Sequence, residues 1–123
     1  MALQESGEMY LETILILSQK RNLVRAIDVA EEMGFSKPAV SRALAKLRQE
    51  RYIIIDPEGY IAFTETGRRL AEKIYERHTM LTHFLVRLGV DEATAAADAC
   101  RIEHVISDKT FDALKKHNAE HSC

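Results

Sequence analysis

Cys100, Glu103 and His104 stand at positions i, i+3 and i+4, a spacing that on a helix brings a thiol, a carboxylate and an imidazole to one face. All three are ligand types that divalent transition metals accept. By itself the triplet also reads as a half-buried cysteine beside an exposed Glu–His pair. Met9 and Glu12 form an i, i+3 pair near the N-terminus, and His78 falls in the middle of a long helical stretch. Singly, Met9 reads as core filler, Glu12 as a surface acid and His78 as an ordinary helix residue. Spacing does not bring these segments together. His117 and His121, beside Cys123, read as a frayed tail.

A second chemistry is electrostatic. The chain has a formal net charge of −2, yet residues 36–51 hold Lys37, Arg42, Lys46, Arg48 and Arg51 against Glu50 alone, a local charge of +4. A phosphate backbone responds to such local basicity rather than to the global sum.

The elements that must carry these groups follow from periodicity and stop signals. The first helix is expected over about Gln4–Lys20, with Met9, Ile14 and Leu17 in its apolar stripe. A short helix over Arg25–Met33, with Ile27, Ala30 and Met33 at helical spacing, stops at Gly34. Ser36 is a good N-cap and Pro38 fits the first turn of a third helix running to about Glu50. Val40, Leu44 and Leu47 line its inner face. Tyr52–Ile55 and Tyr60–Phe63 read as two strands around the turn Asp56-Pro57-Glu58-Gly59. Thr64 caps a long helix to about Leu88, Gly89 ends it, and Asp91 starts another reaching about Ile106. Ser107 or Asp108 caps a last one.

Helix, short helix, tight turn, helix and hairpin is the order of a winged helix-turn-helix. In that unit the third helix enters the major groove. Ser36, Lys37, Pro38, Ser41 and Arg42 then approach base edges, with Arg42 able to pair bidentately with guanine. Lys46, Arg48 and Arg51 suit phosphates, which set affinity without reading sequence, and Arg25 is a further DNA-binding candidate. Asp56 and Glu58 at the wing tip repel phosphates, so any wing contact is expected from Arg51 or the hairpin's flanks.

The expected fold class is mainly α: a winged helix-turn-helix over 1–72 (three helices and a two-stranded wing), then an all-helical dimerisation and metal-binding domain over 73–123. A chain of 123 residues buries only about two-thirds of its unfolded surface, so a partner subunit would add stability. Apolar residues at 46% and charged residues at 29% exclude a disordered chain, and no apolar run approaches the roughly 18 residues of a membrane span. Without a signal peptide, and with two distant cysteines, the chain reads as cytoplasmic with free thiols.

Beyond spacing, the chain resembles the iron- and manganese-dependent repressors, the diphtheria toxin repressor and manganese transport regulator family. The resemblance rests on Glu8-Met9-Tyr10-Leu11-Glu12-Thr13-Ile14, on Asp28-Val29-Ala30-Glu31 followed by Ser36-Lys37-Pro38-Ala39-Val40-Ser41, and on Leu47 and Thr64-Glu65-Thr66-Gly67. It continues through Arg77-His78, Phe84-Leu85, Leu88-Gly89-Val90 and Cys100-Arg101-Ile102-Glu103-His104. It implies that Met9, Cys100, Glu103 and His104 match the principal metal site of the iron branch. His78 matches a ligand used in both branches, and Glu12 a carboxylate of the manganese branch. Thr82 and Ala96 depart from the pattern at the iron-type ancillary site, and the sequence lacks the SH3-like domain of longer members.

The function expected is a metal-dependent repressor that binds a double-stranded operator of metal-homeostasis genes as a homodimer. Sulfur from Met9 and Cys100 favours Fe²⁺, Glu12 and Glu103 pull towards Mn²⁺, and Zn²⁺, Co²⁺ or Ni²⁺ are competent substitutes. The alternative is a metal-independent winged-helix regulator sensing a small molecule or thiol oxidation. With no substrate pocket or independent general base in view, an enzyme is not expected, nor a membrane partner or small-molecule substrate. The dimer surface is expected among Leu81, Phe84, Leu85, Leu88, Val105, Ile106, Phe111 and Leu114.

Overall fold

A computed structural model describes residues 5–120. Cys123 and His121 lie outside them. Six helices and one hairpin follow in the order α1 (Glu5–Lys20), α2 (Ala26–Met33), α3 (Lys37–Gln49), β1 (Ile53–Ile55), β2 (Ile61–Phe63), α4 (Glu65–Arg87), α5 (Glu92–Ile102) and α6 (Asp108–Glu120). They form two compact units, Met1–Lys73 and Ile74–Cys123. No helix among the described residues is long and apolar enough to cross a membrane.

In the first unit, α1, α2 and α3 close around Leu11, Ile14, Leu17, Val29, Val40 and Leu44, all at most 2% exposed. The inner face expected of α3 is buried throughout, whereas α2 turns differently. Its buried residues are Val29 and Ala30, Met33 is half-buried, and Ile27 is 42% exposed beside a groove lined by Ala26, Lys37 and Ser41. Eight residues are too few for periodicity to fix which apolar side chains face the core.

Gly34 ends α2 in the left-handed conformation at φ 71°. Ser36 Oγ accepts from Ala39 N–H at 3.3 Å, the N-cap that starts α3. The end of α3 is less usual. Arg51 N–H donates to Arg48 O and Tyr52 N–H to Leu47 O, both at 3.0 Å. That pair of bonds makes a Schellman motif, and Arg51 occupies its left-handed position at φ 66°, where glycine is the common choice.

The wing is antiparallel, with Ile53 opposite Phe63 and Ile55 opposite Ile61. Asp56 Oδ1 accepts from Glu58 N–H and Tyr60 N–H at 3.0 and 2.8 Å, so the acid at the tip is there to build the turn. The segment before α2 adds a third rung: Ile61 N–H donates to Val24 O at 2.8 Å, and Arg25 bridges Tyr60. Thr64 then clasps the start of α4. Its hydroxyl donates to Arg51 O at 2.7 Å and accepts from Gly67 N–H at 3.0 Å.

In the second unit α4, α5 and α6 pack through Ile74, Leu81, Ala95, Ala99 and Phe111, each buried. Leu81 and Phe111 therefore belong to the unit's own core. Phe84, Leu85, Ile106 and Leu114 are half-buried, and Leu88 and Val105 are each 66% exposed. Two outer links join α4 to α6: Glu76 with Lys115 Nζ at 2.7 Å, and Arg87 with Asn118 Oδ1 at 2.6 Å. The Glu76 carboxylate raises the Lys115 pKa, chiefly through that hydrogen bond.

Candidate metal centre and nucleic-acid interface

The helix expected to continue to Ile106 stops at Ile102. Glu103 is its C-cap, still in right-handed helical conformation, and its N–H donates to Ala99 O at 2.9 Å. The i, i+3 relation of Cys100 to Glu103 is thus kept, whereas His104 already lies in the turn that follows. Beyond the cap, Val105 and Ile106 N–H both turn back to Ile102 O, at 3.1 and 2.9 Å. Arg77 Nη1, from α4, donates to the carbonyl oxygens of Glu103 at 3.1 Å and Ile106 at 3.0 Å in the same turn.

Around this turn the second unit gathers four of the expected site residues. The Glu103 side chain is fully buried, with 0% exposure. His78 Nδ1 lies 2.9 Å from Glu103 Oε2, and His104 Nε2 lies 3.2 Å from Glu103 Oε1. Cys100, Glu103 and His104 each offer a ligand atom within 4.8 Å of the others. Cys100 is half-buried.

A fully buried carboxylate costs several kcal/mol unless it is paired. Here two imidazoles face its two oxygens. The donor set of one thiol, one carboxylate and one imidazole suits a first-row divalent ion and the residues present fit one, with His78 beside the carboxylate as a further imidazole. Met9 and Glu12 stand one turn apart on α1, in the first unit. Met9 is 36% exposed.

In the first unit, α3 turns its polar face outwards. Ser36, Lys37, Pro38, Ser41, Arg42, Lys46, Arg48 and Arg51 are all exposed. The expected DNA-facing residues therefore share a free surface around one helix. Arg25 is exposed too, but its guanidinium carbon lies 4.3 Å from the centre of the Tyr60 ring. Tyr60 is expected from the sequence only as a strand residue, because the Val24–Arg25 rung that brings it to Arg25 is a long-range pairing. Arg25 N–H also donates to Asp28 Oδ2 at 2.8 Å, and Asp28 Oδ1 pairs with Arg21 at 2.7 Å. Behind α3, burial pushes the Tyr10 phenol up, partly opposed by the positive charge of Arg42.

Two matches to known families cover nearly the whole chain. Residues 2–60 match the iron-dependent repressor N-terminal DNA-binding domain, and residues 64–121 match the iron-dependent repressor metal-binding and dimerisation domain. Among curated sequences, an uncharacterised HTH-type transcriptional regulator of Methanocaldococcus jannaschii is 34% identical over 115 residues, covering 92% of each chain. The transcriptional regulator MntR of Escherichia coli O6:H1 is 33% identical over 112 residues, covering 91% of this chain and 72% of its own. Among solved structures, the manganese regulator SloR superposes with a TM-score of 0.81 at 29% identity, covering 97% of this chain. The chain spans about half the length of that structure, 55%.

Proposed function

The chain belongs to the iron-dependent repressor family, and from that premise we propose that it is a metal-activated transcriptional repressor that binds duplex DNA as a homodimer. The observation that carries the reading is the fully buried Glu103 carboxylate, with His78 and His104 against its two oxygens and the Cys100 thiol close by.

In this reading His78, Cys100, Glu103 and His104 hold the ion. Met9 and Glu12 are assigned to it by their match to the family pattern. A bound divalent cation supplies the positive charge that offsets thiolate and carboxylate in a site of low exposure. The protein's own part is to keep Glu103 dry and aimed, with His78 Nδ1 held 2.9 Å from one of its oxygens. Sulfur from Met9 and Cys100 favours Fe²⁺ over Mn²⁺. The structural relative SloR is named a manganese regulator, so both ions belong in the test.

On DNA, Ser41 and Arg42 take the base edges with Ser36, Lys37 and Pro38. Arg25, Lys46, Arg48 and Arg51 take phosphates. Operator and metal affinities are then linked reciprocally, because whatever metal adds to the DNA-bound form, DNA adds to the metal-bound form.

The test is selection from a random-sequence duplex library by the purified chain under anaerobic conditions, with Fe²⁺, with Mn²⁺, or with a chelator. Enrichment of a two-fold symmetric sequence only when metal is present is the expected result. Equal enrichment in chelator would turn the reading into that of a metal-independent regulator. No enrichment in any arm would remove sequence-specific DNA binding.

A further inference from the structure

We propose that Arg77 is a positioning residue for the metal centre, fixing the backbone beyond α5 so that Glu103 and His104 present their ligand atoms together. The proposal rests on the reading of that centre given above.

Arg77 stands on α4 immediately before His78 and is only 8% exposed. A guanidinium so enclosed is costly unless its donors are matched, and of its three nitrogens Nε alone is left without a hydrogen bond. Nη1 donates to Glu103 O at 3.1 Å and to Ile106 O at 3.0 Å, and Nη2 reaches the Asp108 carboxylate at the start of α6. The guanidinium carbon lies 5.4 Å from the Phe111 ring centre. One side chain thereby sets the path of the whole turn between α5 and α6.

Consecutive residues of α4 therefore hold Glu103 at both ends. Arg77 takes its main-chain carbonyl, and His78 faces its carboxylate at 2.9 Å. His104 follows directly, so its imidazole inherits the same backbone anchor. Lysine at position 77 would keep the charge but lose the planar fork that spans two carbonyls and a carboxylate.

The test is Co²⁺ titration of the reduced, metal-free full chain, following the thiolate-to-metal charge-transfer band. Arg77→Lys is expected to lower Co²⁺ affinity about 10- to 100-fold, the range typical of residues that support metal ligands. Its band at saturation should differ in intensity from that of the wild type, because Cys100 and Glu103 no longer present together. Asp108→Asn, which weakens only the far arm, should give a smaller loss in the same direction and serves if Arg77→Lys does not fold. Leu81→Val, which loosens the same unit's core and leaves the Arg77 hydrogen bonds in place, should melt lower yet bind Co²⁺ like the wild type.

Wild-type affinity and an unchanged band in Arg77→Lys (or, if that variant does not fold, in Asp108→Asn) would overturn the proposal. So would an equal loss of affinity in Leu81→Val. Wild-type protein that takes up no Co²⁺ would overturn the metal centre itself, and this proposal with it. That outcome is distinct from wild-type-like binding by the variants.

Discussion

A methyl group on Gly67 would sit 1.8 Å from the carbonyl oxygen of Tyr52. No side chain fits there, because the obstacle is backbone, and the approach is held by Thr64, which bonds both Gly67 N–H and the Arg51 and Tyr52 carbonyls. Gly67→Ala should therefore destabilise the protein by about 3 kcal/mol, at the upper end of overpacking costs. This opposes the roughly 1 kcal/mol that alanine ordinarily gains over glycine in a helix. Urea unfolding measures the difference, and a stabilised variant would show that the corner yields easily.

Glu103→Gln keeps the volume of the buried side chain and removes its charge. The variant should fold, yet lose more metal affinity than the roughly 10- to 100-fold expected for a supporting residue. Competition against a chromogenic chelator reads this directly. Affinity within a few-fold of the wild type would show that the carboxylate is a structural partner of His78 and His104 and not a ligand.

The Arg25–Tyr60 stack makes a separable prediction about DNA. Arg25→Ala should shallow the salt dependence of duplex binding by about one ion, as the loss of one phosphate contact does. Tyr60→Leu leaves the charge but frees it, and should weaken binding about two- to fivefold with the slope kept, matching a stack worth about 0.5–1 kcal/mol. Fluorescence anisotropy with a labelled duplex at several salt concentrations separates the two effects. Wild-type affinity in Tyr60→Leu would show that the ring does not hold Arg25 for DNA.

Asp91 caps α5 by accepting from Thr94 N–H at 3.0 Å, and that hydrogen bond holds its carboxyl below the usual value of 3.8. Because the folded-state value is the lower one, the stabilisation is fully present above the unfolded value and is lost as pH falls through the folded one. Melting temperature should therefore drop as pH is taken below about 4, and Asp91→Asn, which keeps a capping oxygen, should flatten that drop. Parallel slopes for the two proteins would remove Asp91 from the acid response.

What the sequence disclosed follows how local each signal is. Ser36 with Pro38, Gly34, Gly89 and Asp91 each end or start a helix through bonds within a few residues, and those boundaries were legible. The end of α5 was not, because no glycine or proline marks it and the turn is held in part by Arg77, 26 residues before Glu103. Spacing could not bring His78 to Glu103 either, and only the family resemblance suggested it. One clue to Arg77 was present: with Ile74 and Leu81 it falls at i, i+3 and i+7, a cation on the apolar stripe of α4. Such a cation has to be matched from outside its own helix.

Arg51 carries a tension of a different kind. Its backbone is the left-handed one that a glycine adopts freely and that costs an ordinary residue about 1–2 kcal/mol. Its side chain is one of the exposed cations around α3 that the proposed function assigns to DNA. Folding and binding thus ask for different residues at one position, a stability–activity trade-off confined to a single φ angle. An engineer seeking a hardier protein would choose glycine there, and should expect the sturdier variant to be the weaker repressor.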